Sequence, residues 1–314
     1  MHLPIELARA IEEEASRHDR AALLRAVAKI SGRYHAEGAR STGRLSDVER
    51  AAYVAVRAPA IYGALREVFA ELQARIPDAQ VGTLLDLGAG PGTAAWAAAS
   101  VWPALSEITC IERDRGLIEL GRRLTRMAPA RWIEADLDDT SPLPRADLVV
   151  LSYVAGELDA PGPLIDRAWA AAALALVIVE PGTPRGFSAI RAARAQLIRS
   201  GAAIAAPCPH AGECPMNTPD WCHFAARIER SKLHRQLKSG ELGHEDEKFS
   251  YVIASRAPVC AAVSRVVRHP WITPGLIRLE LCTVANVKSR TVRKREKELF
   301  RLARKAHWGG EFPV

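Results

Sequence analysis

Two groups of residues in this chain have types and spacings that could do chemistry. The first is Leu84-Leu85-Asp86-Leu87-Gly88-Ala89-Gly90-Pro91-Gly92-Thr93. Strand-forming residues run into a Gly-x-Gly-x-Gly turn, and an alanine-rich helical segment, Ala94 to Val101, follows at once. That order brings backbone close to a nucleotide-like ligand at the carboxyl end of a first strand. Gly88 and Gly90 can take positive φ and put no Cβ in the way. Pro91 falls where the first turn of a helix can spare an N–H. The second group is Cys208, Cys214 and Cys222, spaced Cys-x5-Cys-x7-Cys with a proline after the first two. Thiolates clustered in a turn-rich loop suit a metal centre. Cys282, at the end of a later strand, would bring a fourth. Cys110 reads as a buried strand residue, and Cys260 falls between the last two strands.

Repeated strand–helix alternation must position these groups. Residues 4–76 read as helical, with Pro4 opening one helix, Leu23 to Ile30 continuing in a second and Ser46-x-x-Glu49 capping a third. Arg57 to Ile76 carries the last, and Pro77-Asp78 breaks it. Between these helices lies a polar, basic loop, Ser31 to Arg44. Strands are expected at Thr83–Leu87, Ile108–Glu112, Arg131–Glu134, Ala146–Leu151 and Leu176–Glu180, with helices at Leu117–Met127, Ala168–Ala175 and Ser188–Arg199. Such an order predicts a mainly parallel sheet covered on both faces. Right-handed crossovers then put the glycine turn, Glu112, Asp136 and Ser152 along one edge, at carboxyl strand ends. Glu112 follows Gly88 by 24 residues, near the ~20 at which an acid meets ribose hydroxyls. Asp136 is placed to hold an adenine amino group. After the cysteine loop, Arg227, Arg230, Lys232, Arg235 and Lys238 read as one basic helical run, and Phe249–Ala254 and Leu276–Cys282 as two closing strands.

Composition narrows the class. The 314 residues are 48% apolar, enough for a packed core, and no run approaches the ~20 apolar residues of a membrane span. The first residues form no secretion signal. A soluble, cytoplasmic protein, a monomer when free, is the expectation, and its cysteines are then expected to be reduced. The net charge of +7 is uneven. Residues 1–184 hold 20 Lys and Arg against 25 Asp and Glu, whereas residues 185–314 hold 23 against 11. The basic excess of the second part, in the 227–238 run and around Arg293, Lys294 and Arg295, points to a polyanionic partner.

Asp86 and the tight glycine spacing resemble motif I of the S-adenosylmethionine-dependent methyltransferases. The dinucleotide fingerprint differs, with two residues before its last glycine. Two further blocks follow in order, Ser152-Tyr153-Val154 with Glu157-Leu158, and Glu180-Pro181-Gly182-Thr183-Pro184-Arg185-Gly186. With the cysteine loop, Glu245-Asp246-Glu247-Lys248-Phe249-Ser250-Tyr251 and Leu281-Cys282, the chain resembles the methyltransferase-like family of small-ribosomal-subunit assembly factors, found in mitochondria and bacteria. The resemblance covers about residues 45–310.

It implies an α/β fold: a seven-stranded, Rossmann-like class I methyltransferase sheet with an N-terminal helical unit and a cysteine-rich insertion. The corresponding parts are 1–76 (helical unit), 77–200 (cofactor-binding core), 201–247 (cysteine-rich insertion), 248–287 (closing strands) and 288–314 (basic tail). S-adenosylmethionine is then expected on Asp86, Gly88, Gly90, Gly92, Glu112, Asp136 and Ser152. A [4Fe–4S] cluster is expected on Cys208, Cys214, Cys222 and Cys282, with small-subunit ribosomal RNA as partner. Zinc is the chemical alternative, although its structural sites use closer cysteine pairs, whereas clusters tolerate dispersed cysteines. No Asn-Pro-Pro-Tyr motif and no cysteine beside the fourth strand reveals an acceptor atom. Three functions stay open: an rRNA methyltransferase, an assembly factor that uses the fold without catalysis, and a small-molecule methyltransferase with a zinc loop.

Overall fold

A computed structural model describes residues 1–35, 44–124, 130–216, 219–238 and 242–313. Four helices come first: α1 (Ile5–Ser16), α2 (Arg20–His35), α3 (Asp47–Val56) and α4 (Ala58–Arg75). The expected capping box starts α3: Ser46 Oγ accepts from Glu49 N, and the Glu49 carboxylate accepts from Ser46 N at 2.8 Å. Of the loop expected at Ser31 to Arg44, residues 31–35 complete α2 and 36–43 lie outside the described residues.

The sheet is built from β1 (Thr83–Leu87), β2 (Glu107–Glu112), β3 (Ala130–Glu134), β4 (Ala146–Ser152), β5 (Ala172–Pro181), β6 (Ala203–Ala206), β7 (Phe224–Glu229) and β8 (His244–Ser255). Its helices are α5 (Thr93–Ala99), α6 (Arg115–Leu124), α7 (Gly162–Ala171), α8 (Pro184–Arg199) and α9 (Lys232–Lys238). The order is β3-β2-β1-β4-β5-β8-β6, with β7 also on β8. The first five are parallel, and β8 runs antiparallel to its neighbours. Alternate residues of the central strands feed two cores. Leu84, Leu148 and Val150 pack towards α4 and α5, while Leu85, Val149 and Leu151 pack towards α7 and α8. A strand buried on both faces reads as a continuous apolar run, which is why β1 and β4 are visible in the sequence.

Several expectations change. The sheet has eight strands, not seven, because its outer position is filled by two short strands in line. Both lie on one edge of β8, β6 against Ile253–Ser255 and β7 against His244–Phe249. Residues 207–223 loop out between them, where Pro207, Pro209 and Pro215 offer no N–H to a ladder. The helix expected at Ala168–Ala175 lies at Gly162–Ala171, and β5 begins at Ala172. The basic run is not one helix. Phe224, Ala226 and Ile228 are buried and alternate with exposed Ala225, Arg227 and Glu229, so its first half is β7.

Leu276–Cys282 does not close the main sheet. It is a strand of a second, four-stranded antiparallel sheet: β9 (Arg265–Val266), β10 (Trp271–Thr273), β11 (Leu276–Cys282) and β12 (Val287–Arg293). Ile277, Leu279 and Leu281 are buried, alternating with less buried neighbours. That period of two belongs to a strand covered on one face. The expected basic tail is β12 followed by α10 (Lys297–Ala303), which packs with Phe312 over Ile277, Leu279, Leu281 and Val292. No described helix is long and apolar enough to cross a membrane.

Candidate functional site

The strand order reverses between β1 and β4, the switch point where open α/β sheets bind ligands. A cleft there is lined by Asp86, Gly88, Ala89, Gly90, Pro91, Thr93 and Ala94 from the β1–α5 turn, Ser152 from β4, and Tyr53 and Ile61 from the N-terminal helices. Gly88, Gly90 and Gly92 all take positive φ, +69°, +54° and +82°. A Cβ on Gly90 would meet nothing within 4 Å, whereas one on Gly88 would stand 2.6 Å from Val154 Cγ2. Gly90 is therefore an open cradle, and Gly88 is closed in by packing. Gly92 caps α5 and is not part of the lining.

Glu112 braces this turn. Its Oε2 accepts from Gly90 N at 2.9 Å, and its Oε1 accepts from Arg113 N and Asp114 N, each at 2.9 Å. Asp136 stands apart. It is about half exposed, accepts from Asp138 N and lies 3.6 Å from an Arg113 nitrogen. Asp86 is buried, and burial, then the Glu112 charge, pushes its carboxyl up to about 7. Asp86 Oδ2 and Ser152 Oγ are buried without a hydrogen-bond partner. Unpaired buried polar atoms are costly, and here two of them belong to residues lining a glycine cradle. This fits a polar, cationic ligand such as the aminoacyl end of S-adenosylmethionine.

A pH dependence follows. Asp86 is protonated in the fold at acid pH and ionises near neutrality, whereas in the unfolded chain it ionises near 3.8. The stability it contributes is present below that lower value and is lost as pH rises through about 7. Thermal unfolding without cofactor will show the wild type losing stability from about pH 4 to about pH 7 relative to Asp86→Asn. Parallel curves for the two proteins would refute the assignment.

Just past β4, Tyr153 holds a left-handed backbone, φ 60°. Its hydroxyl donates to Glu247 Oε1 at 3.0 Å, and Arg57 donates to both Glu247 oxygens at 3.1 Å. Burial, then the Glu247 charge, pushes the phenol well above its ordinary value, so it stays neutral. Nearby Glu180 is pushed up to about 7 by burial. The Arg57–Glu247–Tyr153 link joins the α3–α4 junction, β8 and the end of β4, and no local pattern could have disclosed it.

All four candidate cysteines line one largely apolar cavity with Phe187, Ile190 and Met216. Cys208, Cys214 and Cys222 come from the 207–223 loop, and Cys282 comes from β11 in the other sheet. Among the described residues, no three Cys, His, Asp or Glu side chains converge closely enough for one metal ion. The loop is clamped from outside at its carbonyls. Arg265 donates to Pro207 O (2.9 Å), Arg194 to His210 O (2.7 Å), Arg191 to Met216 O (3.4 Å) and Arg268 to Trp221 O (3.3 Å). Ser250 Oγ donates to Cys222 O at 2.8 Å. Burial raises the Cys208 and Cys222 thiols and pushes Cys282 up to about 12. Four sulfur donors round a shared cavity, from two separate elements, are the donor set a thiolate-bound metal centre would use once the thiols lose their protons. Cys110 is buried in β2, and Cys260 is exposed.

Much of the first basic run is paired with carboxylates of β8. Arg227 pairs with Asp246 at 2.7 and 2.8 Å, and Arg230 and Lys238 both pair with Glu245 at 3.0 Å. Lys232 and Arg235 remain exposed on α9. Arg293, Lys294 and Arg295 are exposed at the end of β12, with no side-chain ion pair among the described residues.

A family model described as mitochondrial small ribosomal subunit Rsm22 matches residues 47–313. The chain belongs to the Rsm22 family. Every candidate residue named above lies inside the match, and α1 and α2 lie outside it. A human relative, the mitochondrial ribosome assembly protein METTL17, is 29% identical over 325 residues, covering 94% of this chain and 68% of that protein. The mitochondrial Rsm22-cox11 tandem protein 2 of Schizosaccharomyces pombe is 25% identical over 333 residues, covering 87% of this chain and 44% of that protein. The chain thus spans under half of that fission-yeast relative. Among solved structures, the plantazolicin methyltransferase BpumL with bound SAH is similar at a TM-score of 0.44 and 13% identity, covering 79% of this chain and 99% of that one.

Proposed function

We propose that this chain is a methyltransferase-like factor that acts in assembly of the small ribosomal subunit and docks on its RNA. S-adenosylmethionine would sit in the switch-point cleft and an iron–sulfur cluster in the cysteine cavity. The observation that carries this reading is the meeting of loop and β11 thiols on one cavity, inside the stretch matched to the Rsm22 family. The human relative's name, a ribosome assembly protein, supports the same process. Cys208, Cys214, Cys222 and Cys282 would be the ligands, and their spread round a cavity favours a cluster over zinc.

When bound, S-adenosylmethionine supplies an already activated methyl group. The chain's own residues bind and orient it. The Gly88–Gly90 backbone permits close approach, ionised Asp86 balances the cationic end, and Ser152 offers a hydroxyl at the β4 side. Lys232, Arg235, Arg293, Lys294 and Arg295 are free to meet phosphates, which gives affinity without sequence information.

The Arg57–Glu247–Tyr153 link favours a second reading. A tied, neutral phenol just past β4 cannot serve as a base there. The cofactor could then be bound without methyl transfer. Calorimetric titration with S-adenosylmethionine and labelled-methyl transfer to immature small-subunit RNA separate the two. Incorporation supports the enzyme, and binding without incorporation supports the non-catalytic factor. If neither cofactor nor RNA binds, the proposal falls. Brown protein absorbing near ~400 nm supports the cluster, and colourless protein carrying zinc removes it.

A further inference from the structure

One face of the second sheet packs on the cysteine cavity at its Cys282–Val287 end and is bare towards β10. The pairing register sets Trp271, Arg278 and Thr291 side by side across β10, β11 and β12, with Thr273, Leu276 and Arg293 in the next row. The opposite face is covered by α10 and Phe312. On the bare face Trp271 is 55% exposed, and the Arg278 guanidinium lies over its ring, 5.5 Å from the centroid. The Arg278 and Arg293 guanidinium groups are exposed, with no carboxylate partner among the described residues, while the Arg293 backbone N–H donates to Glu296 Oε2 at 2.8 Å. Glu280 shares the face but sits nearer Cys282, away from the Arg293 end.

An indole left in water beside unpaired guanidinium groups has the chemistry of a base-stacking platform. Aromatic rings accept the face of any base, and arginines meet its phosphates or stack on its neighbour. A duplex keeps its base faces hidden, so only unpaired nucleotides can use such a ring. The charge is complementary to a polyanion: Lys294 and Arg295 continue the basic row beyond Arg293.

We propose that the β10–β12 face is a stacking site for single-stranded RNA. Trp271 takes one base on its ring, and Arg278 and Arg293 hold the flanking phosphates. This rests on the RNA-binding reading above and deepens it by naming the surface and the form of RNA.

Trp271→Ala and Trp271→Tyr test it in the full chain. The probes are a uridine-rich strand of about a dozen nucleotides, a duplex of equal length and immature small-subunit RNA, followed by fluorescence anisotropy at fixed salt. The expected result is roughly tenfold weaker binding of the single strand by Trp271→Ala, with Trp271→Tyr near wild type and duplex binding unmoved. Unchanged thermal midpoints show that the variants fold, as half-exposed Trp271 leads one to expect. Equal single-strand affinity for wild type and Trp271→Ala overturns the stacking site, while retained salt-sensitive binding of the subunit RNA leaves the RNA reading standing. Displacement of the single strand by polyglutamate from Trp271→Ala and wild type alike would make the face a general anion surface and also overturn it. If the wild type binds no RNA, both readings fall.

Discussion

Replacing Cys282 with serine is expected to strip the cysteine cavity of the proposed cluster and loosen the 207–223 loop, although Cys282 lies 60 residues beyond Cys222. Among its described residues the loop has no helix or strand between β6 and β7, and it begins at Pro207, where the ladder loses an N–H. Carbonyl clamps from Arg265, Arg194, Arg191 and Arg268 hold its backbone, but its thiols face the cavity. Cys282 is the only cavity cysteine contributed by the second sheet. A bound cluster would therefore tie that sheet to the main one, and metal-binding free energy becomes folding free energy where ligands come from separate elements. The variant will lose absorbance near ~400 nm, and protease will cut within 207–223. RNA affinity will fall as the α9 and β12 cations lose their fixed relation. Cys260→Ser, at an exposed cysteine outside the cavity, will leave all three unchanged. A Cys282→Ser protein with full absorbance and an uncut loop would exclude Cys282 as a ligand.

Replacing Gly90 with leucine will abolish detectable S-adenosylmethionine binding while the fold survives. The added side chain starts in open space, with no atom within 4 Å of its Cβ, and projects from a residue that lines the cleft beside Asp86. The left-handed backbone, φ +54°, costs a non-glycine residue about 1–2 kcal/mol, a fraction of domain stability. Gly88→Ala is the poorer test, because its Cβ would collide with Val154 and confuse lost binding with lost packing. Calorimetric titration should fall from a measurable affinity to none in Gly90→Leu, with the thermal midpoint lower by only several degrees. Wild-type affinity in this variant would move the cofactor out of the β1–β4 cleft.

The sequence and the structure agree most closely where one element carries its own signal. Thr83–Leu87 is a strand with the expected bounds, and Ser46 and Glu49 form the expected reciprocal cap. Disagreement concentrates where the signal is shared. Arg227 and Arg230 look like helix in a run of cations, yet Arg227 stands in a strand, where it alternates with buried Phe224, Ala226 and Ile228, and Arg230 follows that strand. Their charge seemed available to a polyanion until Glu245 and Asp246 were found opposite on β8. Trp271 carried no motif, and its exposure follows only from the sheet to which β10 belongs.

By itself, the sequence determined the parallel core and the glycine turn at the end of β1, and it singled out the four cysteines that line one cavity. These depend on apolar runs, on residues that tolerate positive φ and on thiol chemistry, all of which are local. Only the tertiary structure decided that β11 stands in a second sheet and still lends Cys282 to the cavity. It alone locked Tyr153 to Glu247 and Arg57, and left Trp271 facing solvent. Those outcomes depend on which side chains meet across tens to hundreds of intervening residues, and such meetings are set by the packing of whole sheets and helices.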